Sequence, residues 1–382
     1  MELEALKGKR WFKARAARPS DLYLQDSAEL EGVALELWTV VFEDGVSETY
    51  AATSDDKAFG KFLKAAFPCG GGREVPGRFG TFRFEGRATI PGEAFDLLEP
   101  LGLDQSNSAF CAKGRLFVKL FRRLEAGAHP EEETLKFLAG KGFTHAPELL
   151  GSAFYEGPEG SFAIAVLERH LAPAKSAFEV FTREMRPELA ALLGKRTAEL
   201  HEALSGLPGE GSAPEEPPFG RLEALLKASN GALEQEVLAA LPELRNSFAA
   251  KLAAAGTMPA QRIHGDYHLG QVLLHEGDFC ILDFEGEPAR PLGERRRLRS
   301  RAADLAGMLR SFSYAEAVGG KPSAACAKAF LEAYAGRSQT PLEELRRATG
   351  PYVLSKAVYE ACYELEFRPG WFKIPASALL QG

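Results

Sequence analysis

The sequence predicts an α+β fold of two lobes preceded by a β-rich N-terminal cap. Three observations predict it. Residues 1–100 are patterned mostly as strands, residues 101–172 set two strand pairs around one helix, and residues 173–382 are helical apart from one short β-rich stretch. The three stretches read as a cap, a small β-rich nucleotide-binding lobe and a mainly helical C-terminal lobe.

In the cap, Val33 to Phe42 is a β-branched and aromatic run. Asp44-Gly45 supplies a hairpin turn, and a second strand runs to Ala51. Lys57 to Phe67 reads as one amphipathic helix, ended by Pro68 and the glycines at 70, 71 and 72. Phe82 to Ile90 alternates as a further strand. No catalytic motif is found there, so the cap reads as structural or covering.

In the small lobe, Ser108 to Cys111 and Leu116 to Phe121 are strands joined at Lys113-Gly114. His129-Pro130 opens a helix to Gly140, with Pro at its first position and Glu131, Glu132 and Glu133 in its first turn. Leu149 to Tyr155 and Phe162 to Leu167 form the second strand pair. Beyond Pro173, Ala177–Leu204 holds two helical segments divided near Pro187, and Gly206–Gly220 reads as a linker. Helix resumes over Leu222–Ala254, and Ile263–Phe284 is the β-rich interruption. Further helices are expected at Ala302–Tyr314, Ser323–Tyr334 and Pro341–Glu366.

Charge excludes one class of partner. The count of 46 Lys and Arg against 53 Asp and Glu leaves −7, which suits no phosphate-backbone binder, so no nucleic acid is expected. No run of about 18 apolar residues calls for a membrane span. The start Met1-Glu2-Leu3-Glu4 lacks the basic and apolar parts of a signal peptide. Cys69, Cys111, Cys280, Cys326 and Cys362 are scattered, odd in number and without a CxxC, which supports neither a disulfide framework nor a zinc knuckle. A soluble, reduced, cytoplasmic protein is expected.

The chemistry-bearing stretch is His264-Gly265-Asp266-Tyr267-His268-Leu269-Gly270-Gln271, followed by Val272-Leu273-Leu274 and Ile281-Leu282-Asp283-Phe284-Glu285. Two short apolar strands flank the turn Glu276-Gly277-Asp278, which brings Asp266, Gln271 and Asp283 to one end of a hairpin. Phosphoryl transfer from ATP needs these residue types. One carboxylate orients the attacking hydroxyl and accepts its proton, while an amide oxygen and a second carboxylate hold Mg2+ against the phosphates. Protein kinases use an Asp, an Asn five residues later and an Asp after the next strand. Asp266 and Gln271 are also five apart, and Gln offers the same amide oxygen on a longer arm. Asp266 is therefore the candidate catalytic base, and Gln271 and Asp283 are the candidate metal ligands. His264 and His268 are four apart, but Gly265 and Gly270 argue against the helix on which such a pair binds zinc. Both are read as supports of the loop, with His268 also a candidate for substrate contact.

A kinase also needs a cation on the donor phosphates. Val118-Lys119-Leu120 sets a lone lysine between apolar neighbours in a small-lobe strand, and one of the three following glutamates should reach back to it. An exposed edge-strand lysine is the alternative. Just upstream, Ser106, Asn107 and Ser108 are candidates to cover phosphates with hydroxyls and amides.

The segment His264–Tyr314 resembles the maltokinases, members of the aminoglycoside-phosphotransferase-like kinases within the protein-kinase-like fold. Ser106–Leu124 resembles their small-lobe strands, and His129-Pro130-Glu131-Glu132-Glu133 resembles their Asn-Pro-x-x-Glu helix start, which implies Glu133 as the partner of Lys119. Leu193–Leu204, Lys356–Glu360 and Arg368-Pro369-Gly370-Trp371 resemble further family segments, and Arg10-Trp11-Phe12 echoes the family's cap. The chain departs from the pattern at Ala174–Phe178, where the family carries Gly-Asp-x-Trp. Leu298, Arg301 and Ala303 stand in place of Lys, Pro and Arg.

Tyr352, Lys356, Tyr359 and Tyr363 fall on one helical stripe with Glu360 beside it, which is either packing surface or one wall of an acceptor pocket. The resemblance favours the pocket and implies Tyr359, Glu360 and Trp371 as acceptor contacts. Glu294, Arg295, Arg296, Arg297 and Arg299 form a charge run that reads as a solvated loop, with a sugar or phosphate contact open to one or two members. The resemblance implies an ATP- and Mg2+-dependent kinase that converts maltose to maltose 1-phosphate, with trehalose-pathway enzymes as partners. A kinase for another sugar such as glucosamine, an aminoglycoside kinase and a non-catalytic binding protein remain as alternatives.

Overall fold

The computed structural model describes residues 12, 18–68, 71–102, 107–212, 216–256, 258–288 and 290–381. Ser106, Cys69, Arg10 and Trp11 lie outside them. Two compact units are present: Met1–Pro173 with Pro288–Leu292, and Ala174–Glu287 with Gly293–Gly382.

The first unit contains two sheets. One is built from β1 (Pro19–Leu30), β2 (Val33–Phe42) and β3 (Ser47–Thr53), with β9 (Arg123–Leu124) added at the edge in the order β1-β2-β3-β9. Leu30 pairs with Val33, so Glu31-Gly32 is a two-residue turn, with φ of 54° and 73°. That conformation matches the right-handed twist of the strands. Helix α1 (Phe59–Ala66) is two residues shorter at its start than expected. Asp55 accepts the amides of Lys57 and Ala58 and holds them in the preceding turn.

The second sheet follows the order β4-β5-β10-β11-β8-β7-β6. Its members are β4 (Glu74–Pro76), β5 (Thr81–Gly86), β6 (Glu99–Pro100), β7 (Ser108–Ala112), β8 (Leu116–Leu120), β10 (Leu149–Gly157) and β11 (Gly160–Glu168). The expected boundary at residue 100 therefore cuts through this sheet. Phe82 and Phe84 point one face of β5 into the core, and β5 satisfies its backbone against β10 rather than against the cap strands. Asp26 of β1 ties the two sheets. Its buried carboxylate accepts the amides of Arg78, Phe79 and Gly80 and, at 2.8 Å, the hydroxyl of Tyr155. Burial raises this carboxyl, and those donors more than reverse the effect. The lobe's helix, after short α2 (Gly92–Asp96), is α3 (Pro130–Gly140), with Pro130 in its first turn and the ring of His129 capping the Glu131 amide.

The second unit is mainly helical. Helices α4 (Ala177–Arg183) and α5 (Pro187–Ala203) divide at Pro187 as the sequence suggests. Helices α6 (Phe219–Lys227) and α7 (Ala232–Ala254) follow, interrupted at Ser229–Gly231. A three-stranded sheet joins β12 (Ala174–Ser176), β14 (Val272–His275) and β15 (Asp278–Ile281), while β13 (Ala260–Gln261) pairs with β16 (Arg299–Ser300). The short α8 (Leu292–Arg295) precedes α9 (Ala302–Gly319), α10 (Ala324–Ser338), α11 (Leu342–Phe367) and α12 (Lys373–Leu380). Leu222, Leu226, Val237, Leu241, Val358 and Cys362 form one core that packs α11 against α6 and α7. Among the described residues no helix is long and apolar enough to cross a membrane.

Candidate active site

The hairpin β14–β15 turns through Glu276-Gly277, with His275 paired to Asp278. The loop before it, His264–Gln271, is fixed by side chains far away in sequence. Asp304 of α9 accepts the backbone amides of His264 at 2.8 Å and Gly265 at 2.9 Å. Gly265 has φ of 86°, a conformation that costs a residue with a Cβ. His201 Nε2 lies 3.0 Å from the same carboxylate, and Tyr334 OH lies 2.9 Å from His201 Nδ1. A carboxylate only accepts, so Nε2 carries the hydrogen of that contact. Burial acts to raise the Asp304 carboxyl, but His201, His264 and the Gly265 amide hold it below the usual carboxylate range. Gly307 lets α9 approach the loop, since a Cβ there would stand 2.5 Å from the Tyr267 carbonyl oxygen.

His264 spans the two ends of the hairpin. Its Nε2 donates to the Leu282 carbonyl at 2.8 Å, and its Nδ1 faces the Asp266 amide at 3.4 Å. This buried ring holds Asp266 and Asp283 in register and leaves His264 no part in a metal site. Gln271 Nε2 donates to Asp283 Oδ2 at 2.8 Å, so the two candidate metal ligands are in contact. Asp283 has φ of 62°, a strained conformation of the kind that clusters at functional sites. Among the described residues no group of three or more His, Cys, Asp or Glu is arranged to hold a metal. A carboxylate with one amide oxygen is instead the sparse, hard donor set that Mg2+ takes when phosphates and water complete its shell.

Asp266 is partly exposed, with Lys356 Nζ 3.5 Å from its Oδ1 and His268 Nε2 3.8 Å from its Oδ2. Lys356 thus sits on the candidate base rather than simply lining a pocket wall. On the same face of α11, Tyr359 donates to Glu287, and Lys356 lies 5.0 Å above the Tyr359 ring. Burial first, then Glu287, raises the Tyr359 hydroxyl, which stays protonated.

Glu360 requires a correction. It is not an open carboxylate but is buried in an ion pair with Arg310 of α9, at 2.8 Å. Its pKa is nonetheless raised, because burial outweighs Arg310. Trp371 stacks on Tyr314 with centroids 6.2 Å apart and carries Arg368 5.2 Å from its ring centre. In the charge run, the Arg295 side chain is 9% exposed and lies 3.8 Å from Glu285.

In the first unit, Lys119 is buried, which excludes the edge-strand alternative. It is ion-paired with Glu131, at 3.3 Å. Glu131 shares the inner face of α3 with Leu135 and Leu138. Asn107 Oδ1 accepts the Arg122 amide at 3.3 Å, and Ser108 Oγ accepts Arg122 Nε at 2.7 Å.

Asp304, Arg310 and the role of Lys356 were not read from the sequence. The available signal was a single charged residue inside an apolar helical run, as in Ala303-Asp304-Leu305 and Leu309-Arg310-Ser311. Such a charge is costly to bury without a partner.

The chain is 28% identical over 337 residues to a glucosamine kinase of Streptacidiphilus jiangxiensis, covering 78% of this chain and 74% of that one. A glucosamine kinase of Mycolicibacterium smegmatis (strain ATCC 700084 / mc(2)155) is 26% identical over 318 residues, covering 73% and 78%. Among solved structures, a glucosamine kinase in complex with glucosamine, ADP and inorganic phosphate superposes with a TM-score of 0.72 at 21% identity, over 97% of this chain and 96% of that one. A second crystal form of a glucosamine kinase gives 0.74 at 22% identity, over 95% and 94%. These likenesses bear out the α+β, aminoglycoside-phosphotransferase-like fold. The model of the phosphotransferase enzyme family matches residues 98–346, and the chain is a member of that family.

Proposed function

We propose that this phosphotransferase is an ATP- and Mg2+-dependent sugar kinase whose acceptor is an amino sugar of the glucosamine type. The observation that carries the kinase reading is the loop fixed by Asp304. It presents Asp266 beside Lys356, with the Gln271–Asp283 pair at the end of the same hairpin. In this reading Asp266 orients the sugar hydroxyl and takes its proton, while Lys356 holds the carboxylate in place. Gln271 and Asp283 hold the metal, and Lys119, steadied by Glu131, binds donor phosphates.

The acceptor follows from charge and from the relatives. Asp266, Glu287, Glu360 and Glu364 gather along α11 with Lys356, Arg310 and Arg368 among them. A stripe that carries carboxylates suits a protonated amine. Maltose, implied by the maltokinase resemblance, brings no positive charge to it, and both relatives are named as glucosamine kinases. ADP release with MgATP and a panel of glucosamine, glucose, N-acetylglucosamine and maltose tests the assignment. Highest kcat/KM with glucosamine is expected. A clear preference for maltose would overturn the acceptor but not the kinase.

Glu360→Gln keeps the shape of the Arg310 pair and removes its negative charge. Because Glu360 is committed to Arg310, it acts on an amine only through the charge along α11, so kcat/KM for glucosamine should fall by no more than about 10-fold, and that for glucose less. Equal losses for both sugars would remove Glu360 from amine recognition.

Lys119→Ala should raise KM for ATP and also lower Tm, because buried Glu131 loses its ion pair. Adding Glu131→Gln should recover Tm without recovering turnover. Recovery of both would make Lys119 purely structural.

A further inference from the structure

Arg122 follows β8 and is 3% exposed. A guanidinium is costly to bury unless its donors are met, and here they are met from two directions. Toward the cap, Arg122 donates to the Ala51 carbonyl at 3.2 Å and to Asp56 at 3.2 Å, and its own carbonyl accepts the Ala51 amide at 2.8 Å. Toward β7, it donates from Nε to Ser108 Oγ at 2.7 Å and from its backbone amide to Asn107 at 3.3 Å. Ala51 belongs to β3, and Asp56 to the turn before α1. Ser108 pairs with Leu120, the residue after Lys119. One side chain therefore links the cap to the start of the strand pair that carries the donor-side lysine.

The sense of the Ser108 contact matters. Arginine has donors only, so Ser108 Oγ serves it as acceptor, and the hydroxyl hydrogen is directed elsewhere. A hydroxyl fixed in that sense is a donor for an anionic oxygen.

We infer that Arg122 is a positioning residue that couples the cap to donor binding, by holding the Asn107–Ser108 turn with the Ser108 hydroxyl set to donate to a nucleotide phosphate. The inference rests on the reading of Asn107 and Ser108 as phosphate-covering residues. Through Arg122, the cap contributes to ATP affinity without touching the nucleotide.

Titration calorimetry of the full chain with MgATP tests this, alongside thermal melts. The Asp56 side chain is 47% exposed, so Asp56→Ala should move Tm by no more than about 2 °C. It should nonetheless raise Kd for MgATP about 3- to 10-fold. Ser108→Ala should raise Kd by a similar factor. The double variant should exceed neither single variant by much, since both act through one guanidinium. Unchanged Kd in Asp56→Ala beside a raised Kd in Ser108→Ala refutes the coupling and leaves the donor reading intact. Unchanged Kd in both overturns the donor reading itself. Multiplicative losses in the double variant also overturn the coupling.

Discussion

Asp266→Asn is expected to lower kcat by about 10²- to 10⁴-fold while changing ATP affinity little. Asparagine keeps the size of the side chain and still accepts a hydrogen bond from the sugar hydroxyl. It cannot take the proton, and it gives Lys356, 3.5 Å away, no charge to pair with. The loss should appear in single-turnover ADP formation at saturating sugar, with MgATP binding by calorimetry within about twofold of wild type. The His264 and Asp304 contacts to the loop run through backbone and neighbouring groups, so Tm should hold. Turnover near the wild-type rate would remove Asp266 as the base. A collapse of Tm would show that the Lys356 contact supports the fold.

Asp304→Asn is expected to cost both stability and turnover, although Asp304 is buried behind the loop. Its carboxylate serves His201 and two backbone amides at once, and removing one partner of a buried network costs about 3–5 kcal/mol. Tm should then fall by roughly 6–20 °C. The pH dependence identifies the cause. The folded pKa of Asp304 lies below its ordinary value, so the unfolded chain binds more protons at this group. Its contribution is complete above the unfolded pKa of about 3.9 and is lost as pH falls through the lower folded value. The Tm gap between wild type and Asp304→Asn should be constant from about pH 7 to pH 5 and shrink below about pH 4. A gap that stays constant into acid would mean that shape, not charge, is what Asp304 contributes.

The candidate catalytic hairpin was legible because its signals are local. The five-residue step from Asp266 to Gln271, the two apolar strands and the Glu276-Gly277 turn are adjacent in sequence, and short-range backbone geometry brings them together. Gly265, Pro130 and Pro187 mark conformations that few other residues adopt, so turns and helix starts could be assigned directly. Periodicity located most helices to within a few residues. A mixed fold of this class, and phosphoryl transfer as its chemistry, follow from such short-range features.

Partner choice was not legible, because it depends on which faces meet. Helix α3 offers three glutamates in a row, and its packing sets Glu131 against Lys119. Glu360, read as an acceptor contact, is held by Arg310 of α9 from 50 residues away. Lys356 reaches Asp266 across 90 residues, and Asp304 reaches Gly265 across 39. Strand β5 lies between β4 and β10 rather than beside the cap strands, because a strand's backbone groups are satisfied wherever a matching partner is presented. The residue types and their local spacing determined that Asp266, Gln271 and Asp283 stand at one end of a hairpin. Tertiary structure alone decided which charges steady them, since a buried charge is stable only beside the partner that packing delivers.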